Sequence, residues 1–279
     1  GRYYFECALV FMHCMLRSSI LFACETYYDL KEGEIRQLER IEEDFLRELF
    51  KTSKGCPLTQ LYLEGGIISA KFEIIRTRLL FLKTILNQKE DSMLYKFFKI
   101  QLESSSKTDW TTTCMNNLEE LNVEKSLDEI RKMSNMQYKN LLNKRIRKTA
   151  FFYLAGKQRS KGGDIVYTDL HMAEYLMPNG NIQSNTVKRE IFAIRNKMVN
   201  IPANYSSHKI EHGCQCGMKD DMEHVYTCIM LNNENADVKF EEIYSSNTKL
   251  ISEVNKRFQN NMKNREEIMN KNEGEKKKK

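Results

Sequence analysis

The chain has 279 residues, enough for one large domain or for two or three small ones. Hydrophobic residues make up 41% and charged residues 29% of it, a balance that excludes a disordered protein. The 12 glycines and 3 prolines are too few for the many turns of a β-sandwich or β-barrel. The net charge of +6 is small for this length and by itself identifies no partner.

Hydrophobic residues recur at three- and four-residue steps through most of the chain, a spacing typical of amphipathic helices. The first clear run covers residues 35–49, and Gly55 with Pro57 predicts its end. The segment 64–66 (E-G-G) predicts a turn, after which residues 72–86 form a second run. We therefore expect two amphipathic helices here, separated by a turn.

The helical pattern continues beyond this pair. Asp109 has the chemistry of a helix N-cap, Ser126 with Glu129 has the spacing of a capping box, and Gly156 predicts a helix end. The predicted helices cover residues 93–98, 110–121, 126–133, 135–154 and 186–199. Breaks are predicted at residues 104–106, 162–163 and 178–180, and a disordered basic tail at residues 276–279. No alternation is long enough for a sheet, so we predict an all-α fold.

The N-terminal segment bears on the cellular compartment. The apolar stretch 7–16 has ten residues, whereas a membrane-spanning helix needs about 20. Arg17 closes this stretch, and it lacks the small-residue cleavage site of a secretory signal. We therefore expect an intracellular, reducing setting in the nucleus or cytoplasm, with no membrane partner and no structural disulfides. Because the chain begins at Gly1 rather than methionine, we interpret it as a fragment.

Three cysteines and a histidine lie close together with the spacing C-x-C-x7-H-x3-C. Thiolate and imidazole are ligands that Zn²⁺ prefers, in a tetrahedron with each sulfur about 2.3 Å from the metal. All four positions are filled by protein, so the predicted zinc is structural and contributes folding free energy rather than catalysis. The predicted ligands are Cys214, Cys216, His224 and Cys228.

Neighbouring residues support this zinc site. The histidine and the last cysteine are four residues apart, so a helix places both on one face. Asp220 and Glu223 have the spacing of a cap that begins this helix, and Gly213 and Gly217 permit a tight turn around the first two cysteines. The gap between those cysteines is shorter than usual, His212 is an alternative ligand, and a metal-free cluster is the alternative interpretation. The other five cysteines are predicted in the core: Cys7, Cys14, Cys24, Cys56 and Cys114.

A basic segment extends from residue 139 to residue 161. It contains eight positive residues and no acid, so the remainder of the +6 chain carries −2. On a helical wheel, Lys144, Arg147 and Lys148 lie opposite the apolar stripe with Phe151 among them. Cations for phosphates and an exposed ring for base stacking are typical of single-stranded nucleic-acid binding. The predicted nucleic-acid-binding residues are Lys139, Lys144, Arg145, Arg147, Lys148, Phe151, Lys157, Arg159 and Lys161.

Other interpretations of this segment carry less chemistry. One alternative is a solvated helix face whose Phe151 packs on a neighbour, and membrane-surface binding is disfavoured because the apolar stripe is short. No Walker A loop, G-x-G-x-x-G, G-x-S-x-G or H-E-x-x-H motif occurs in the sequence. We therefore expect no catalysis by this chain alone.

Several segments resemble one protein family and follow its order. Residues 16–26 (L-R-S-S-I-L-F-A-C-E-T) resemble the segment just after the polymerase palm of non-LTR (LINE-type) retrotransposon reverse transcriptases. The similarity continues through residues 61–65 (L-Y-L-E-G) and the arginine-rich residues 76–82. Asp109-Trp110, Glu129-Ile130 and the terminal Cys/His motif complete a resemblance that spans residues 1–270.

The resemblance implies a thumb followed by a C-terminal nucleic-acid-binding region, which helps to hold template RNA and primer DNA. The four predicted zinc ligands match the C-C-H-C ligands of the family one by one. Tyr27 departs from the family's common tryptophan, and the catalytic Y/F-x-D-D motif and any endonuclease are absent from the sequence. The resemblance thus implies an upstream polymerase palm as a partner, and a polymerase-dead chain that is either a fragment or a decayed copy.

The expected organisation follows from this resemblance. The predicted regions are a thumb-like helical region over residues 1–103, a basic helical region over 104–205, a CCHC zinc knuckle over 206–230, and C-terminal helices with a basic tail over 231–279. One alternative function is a stand-alone helical zinc-knuckle protein that binds RNA or DNA. The other is a structural helical adaptor whose partner is protein.

Overall fold

A computed structural model describes residues 4–52, 56–104, 108–160, 167–178, 181–199, 201, 214, 216, 218, 221–228, 230–231 and 237–276. Within these ranges every regular element is a helix and no strand occurs, which confirms the predicted all-α fold class. Among the same residues, no helix combines the length and the apolar character needed to cross a membrane. The predicted breaks at 162–163 and most of those at 104–106 and 178–180 lie outside the described residues, as do residues 277–279 of the predicted tail.

The helices follow one another with short connections. The first part of the chain contains α1 (Tyr4–Phe11), a π-helix (Met12–Arg17), α2 (Ser18–Ile20), α3 (Glu32–Phe50), α4 (Leu58–Gly65), α5 (Ala70–Leu86), α6 (Met93–Glu103), α7 (Trp110–Glu120), α8 (Leu127–Lys132) and α9 (Asn135–Arg159). The remainder contains α10 (Asn185–Arg195), α11 (Met222–Thr227) and α12 (Thr248–Lys276), with 3₁₀ turns at Cys24–Thr26, Glu174–Leu176 and Phe240–Tyr244.

The chain divides into two compact units. The N-terminal unit consists of Ala8–Leu49 and Pro57–Met172, and the C-terminal unit consists of Gly1–Cys7, Phe50–Cys56 and Ala173–Lys279. Helix α5 runs through the core of the N-terminal unit and packs against α6, α7, α8 and α9. Its predicted apolar residues are all buried: Phe72, Ile75, Leu79, Leu82 and Leu86.

A buried polar network joins three elements of the N-terminal unit. The Arg17 Nε donates to Oε1 of Glu42 at 2.7 Å, and the Tyr62 hydroxyl donates to Oε2 of the same carboxylate at 2.8 Å. All three side chains are almost inaccessible to solvent. Burial raises the pKa of Tyr62 well above its usual value, so its hydroxyl keeps the proton that it donates. Because each buried charge has partners, the network fixes the π-helix and α4 against α3 without an uncompensated ion.

Side-chain caps begin the predicted helices as expected. The Asp109 carboxylate accepts from the Thr112 N–H at 2.7 Å, and Ser126 and Glu129 form the reciprocal capping box. At the predicted turn after α4, Gly66 has φ +62°, and a Cβ there would overlap the backbone nitrogen of Met172. Only glycine fits this backbone without strain.

Helix α9 is longer than the sequence predicts. Its start at Asn135 is confirmed, but Gly156 does not end it, and the helix continues to Arg159. The reason is tertiary packing. Gln158 is buried and accepts a 2.7 Å hydrogen bond from the Thr59 hydroxyl of α4, and this contact holds the last turn in helical form.

Aromatic rings and one buried cation build the C-terminal unit. Phe50 lies between Phe5 and Phe192, with ring centroids 5.3 and 4.4 Å away. Lys188 is fully buried, and its ammonium donates to the Leu176 carbonyl at 2.9 Å. The predicted helix at 186–199 ends early, at Arg195. This unit also contains the predicted metal ligands.

The cysteines predicted in the core divide into two groups. Cys24, Cys56 and Cys114 are buried as expected. The prediction is wrong for Cys7 and Cys14, which are exposed. The first helical segment turns its other face inward, so these two cysteines point outward. The side chains that this segment buries are Phe5, Leu9 and Met12.

Candidate functional site

The four predicted metal ligands lie together in the C-terminal unit. The ligand atoms of Cys214, Cys216, His224 and Cys228 are all within 4.8 Å of one another, and the group could hold a metal ion. The Cys214 sulfur is 3.6 Å from the Cys228 sulfur, which is 3.9 Å from the Cys216 sulfur. The Cys216 sulfur is 3.2 Å from Nε2 of His224. The fold thus brings together residues that are up to 14 positions apart.

These separations have the size of the edges of a metal tetrahedron. Two sulfurs that each lie about 2.3 Å from one zinc ion are about 3.8 Å apart, and a sulfur and an imidazole nitrogen are about 3.6 Å apart. The sulfur–sulfur distances of 3.6 and 3.9 Å bracket the first value. They are also far too long for a disulfide, and all three cysteines are free. The cluster is therefore compatible with a zinc site.

Backbone groups shape the two-cysteine side of the cluster. The Cys214 N–H donates to the Met218 carbonyl at 3.0 Å and closes a turn around Cys216. A hydrogen bond from the Met218 N–H lowers the pKa of the Cys216 thiol, whereas burial raises the pKa of Cys214 to about 11. A metal ion would have to displace the Cys214 proton, so its binding releases protons.

A short helix supplies the other two ligands. The cap of α11 is Asp221, whose carboxylate accepts from the His224 N–H at 2.8 Å, so the prediction that Asp220 starts this helix is wrong by one residue. The Cys228 N–H donates to the His224 carbonyl at 2.8 Å, which keeps both ligands on one turn of backbone. Asp220, Gly213, Gly217 and the alternative ligand His212 lie outside the described residues.

Helix α12 holds the metal-ligand helix from behind. The Asn261 side-chain amide is fully buried and donates to the Val225 and Tyr226 carbonyls at 2.7 and 3.0 Å. Arg257 Nε donates to the same Tyr226 carbonyl at 3.1 Å, and its guanidinium lies 5.4 Å from the Tyr226 ring. These donors satisfy carbonyls that the end of a helix leaves without intrahelical partners. Sequence analysis missed this support, although asparagine at a helix-interior position, where its propensity is low, was a signal.

The predicted basic residues lie on α9 in the N-terminal unit. Lys139, Lys144, Arg147, Lys148 and Arg159 are exposed, Arg145 and Lys157 are half-buried, and Lys161 lies outside the described residues. The Arg147 guanidinium also donates to the Leu170 carbonyl at 2.7 Å, so this side chain has a structural contact. The fold therefore presents most of the predicted cations to solvent.

The prediction that Phe151 is the exposed ring is wrong. Phe151 is 9% exposed, because the second half of α9 packs against both α4 and α5 and buries more of its circumference. The neighbouring Phe152 is 61% exposed instead. It follows Lys148 by one turn and precedes Arg159 by two, so these three share one side of the helix with Lys144. We call Lys144, Lys148, Phe152 and Arg159 the basic face.

Comparisons of the chain with protein-family models, with curated proteins and with solved structures found no match.

Proposed function

We propose that the chain is the thumb and C-terminal nucleic-acid-binding part of a non-LTR retrotransposon reverse transcriptase. The observation that carries the proposal is the convergence of Cys214, Cys216, His224 and Cys228, the positions that match the family's C-C-H-C ligands. The helical architecture and the order of the resembling segments support the same assignment. The proposal assigns RNA-directed DNA polymerase activity to the palm of a parent protein and no catalytic residue to this chain.

We propose zinc as the metal of the cluster. Three sulfurs and one imidazole nitrogen form a soft, four-ligand set, which among common biological ions favours zinc over magnesium or calcium. With four protein ligands the ion has no open position for water, so its role is to fold the segment around α11.

The basic face is the surface that we propose for phosphate contacts. Lysine and arginine neutralise phosphates and release counterions, and an exposed ring offers a stacking surface that tolerates any base. Lys144, Lys148 and Arg159 supply the charges, and Phe152 supplies the ring. This arrangement favours single strands, because a paired base is not free to stack on a side chain.

Charge reversal on α9 tests this surface. We expect the triple variant Lys144→Glu, Lys148→Glu and Arg159→Glu to weaken binding to single-stranded RNA by at least about tenfold, across all sequences. Arg147 is left unchanged because its hydrogen bond to Leu170 contributes to folding. The measurement is fluorescence anisotropy with a labelled oligonucleotide at low salt.

A matched control separates a local effect from net charge. Reversal of the exposed Lys89, Lys96 and Lys99 on and before α6 changes the charge by the same amount at another surface. The proposal expects near wild-type affinity for this control variant. Equal losses in the two triple variants would show that only overall charge matters, and the basic face would then have no special role.

A helical adaptor is a second candidate function, and one surface favours it. On α6, Met93, Phe97 and Ile100 are 74%, 58% and 63% exposed and lie at spacings that place them on one face. Exposed apolar residues in such a row are typical of a contact with protein. An adaptor that binds through this surface would show little dependence of affinity on salt, in contrast to a protein that contacts phosphates.

A further inference from the structure

A groove in the N-terminal unit surrounds the ring of Tyr153. Two adjoining cavities of about 450 and 380 Å³ share Arg36, Glu39, Tyr153 and Lys157 in their walls. Each volume lies within the range of about 300–1,000 Å³ that is typical of ligand sites. On a helical wheel of α9, Tyr153 lies roughly opposite the basic face. The groove is therefore a separate surface from the one already described.

Cations from three helices line this groove. The Lys157 ammonium lies 4.2 Å from the centroid of the Tyr153 ring, and the Lys71 ammonium lies 4.9 Å from it. Arg36 and Arg40 of α3 add two exposed guanidinium groups. An aromatic ring with ammonium and guanidinium groups around it matches a phosphate joined to a base, with the base against the ring and the phosphate on the cations.

Three glutamates also line the groove, and each is either paired or buried. Glu32 accepts from Arg36 at 2.9 Å in an ion pair that is mostly exposed and therefore weak. Glu43 accepts from Arg47 Nε at 2.8 Å. Glu39 is buried, and burial raises the pKa of its carboxyl. Among the cations, the Lys71 ammonium is 2.8 Å from Glu120, a half-exposed contact that a phosphate can replace.

We propose that this Tyr153 groove binds one or two nucleotides of a single-stranded nucleic acid, with a base on Tyr153 and phosphates on Lys71, Lys157 and Arg40. The inference rests on the proposed nucleic-acid-binding function and adds a second contact surface to it. An incoming base takes the place of an ammonium at the ring, and the displaced ammonium pairs with the phosphate of the same nucleotide.

Substitution of the ring tests the groove directly. The Tyr153→Leu variant is expected to bind single-stranded RNA of about 20 nucleotides about 5- to 100-fold more weakly, the effect of losing one stacked base. Tyr153→Phe keeps the ring and is expected to bind as the wild type does. Phe22→Leu is the matched control, since this ring is 77% exposed in the same unit and lies outside the groove.

A second variant keeps the test valid if Tyr153→Leu is unstable, because the Tyr153 ring packs 5.5 Å from Phe72. Arg40 is exposed, so Arg40→Gln leaves the fold unchanged and is expected to lower the slope of log affinity against log salt by about 0.7. Wild-type affinity and slope in both variants, with binding still weakened by reversal of the basic face, would overturn the groove but not the proposed function. Absence of any binding by the wild-type protein would overturn both.

Discussion

Glu129 shows how one exposed carboxylate gains a pH-dependent role. Its oxygens accept from the Ser126 N–H at 3.0 Å and from the Lys125 ammonium at 3.0 Å. These hydrogen bonds, the backbone one first, lower the pKa of Glu129 to about 2 from 4.5. A lowered native pKa stabilises the folded state above the unfolded pKa, and this contribution is lost as the pH falls from about 4.5 toward 2.

The Glu129→Gln variant tests this contribution, because glutamine keeps the capping geometry without the charge. We expect the variant to be less stable than the wild type at about pH 6, and the difference between their urea midpoints to shrink steadily as the pH approaches 2. A difference that stays constant over this range would contradict the assigned pKa shift.

Residue identity and spacing predicted the metal ligands but not the exposed ring. The four ligands follow from chemistry that the sequence carries directly, since three cysteines and a histidine at this spacing are typical of a zinc site. Phe151 and Phe152 are adjacent on the same helix, and the choice between them depends on how much of α9 the other helices cover. That coverage is a tertiary property, so a helical wheel of α9 alone assigned the wrong residue.

Helix α11 depends on α12 for part of its stability. It has six residues, too few to be stable in isolation, and Asn261 donates to two of its carbonyls. We expect Asn261→Ala to lower the free energy of unfolding by about 1–3 kcal/mol, because buried carbonyls then lose their donor. We also expect weaker binding of Zn²⁺ or Co²⁺, since two of the ligands lie on α11 or at its end.

The neighbouring Asn260 provides the control for this prediction. It lies on the same helix and is exposed, so Asn260→Ala changes the composition of α12 without removing a buried hydrogen bond. Chemical denaturation and a competitive metal titration measure both effects. Equal behaviour of the two alanine variants would show that Asn261 does not support the metal-ligand helix.

Helix length and short helices mark the limit of prediction at the scale of elements. The 3.6-residue period predicted α5, α6 and α7 because each has one apolar and one polar side. Helix α4 gave no such signal, because Leu61, Tyr62, Leu63 and even Glu64 are all buried. The predicted end of α9 was also wrong, since Gln158 is held by Thr59, a residue 99 positions earlier.

At the scale of the whole molecule, the path of the chain could not be predicted from its sequence. Gly1–Cys7 and Phe50–Cys56 belong with Ala173–Lys279, and this grouping joins segments that are far apart in the chain. The rings of Phe5, Phe50 and Phe192 make that connection within the C-terminal unit. Local periodicity and composition carry no information on such distant partners.

Metal removal should act on one part of the chain. We expect the purified protein to contain one zinc ion, and a content below about half an ion per chain would contradict the ligand assignment. After chelation, hydrogen exchange should rise in α11 and in the part of α12 around Arg257 and Asn261. Exchange in α5, in the other unit, should stay unchanged.

The salt dependence of RNA binding tests the central claim most directly. If the zinc-loaded protein contacts about four phosphates of a single strand, the slope of log affinity against log salt is about −2.8, so affinity falls about 50-fold between about 50 and 200 mM salt. The account predicts a steep loss of this size for single-stranded RNA. Affinity that is independent of salt over this range, or absence of binding at about 50 mM, would contradict it.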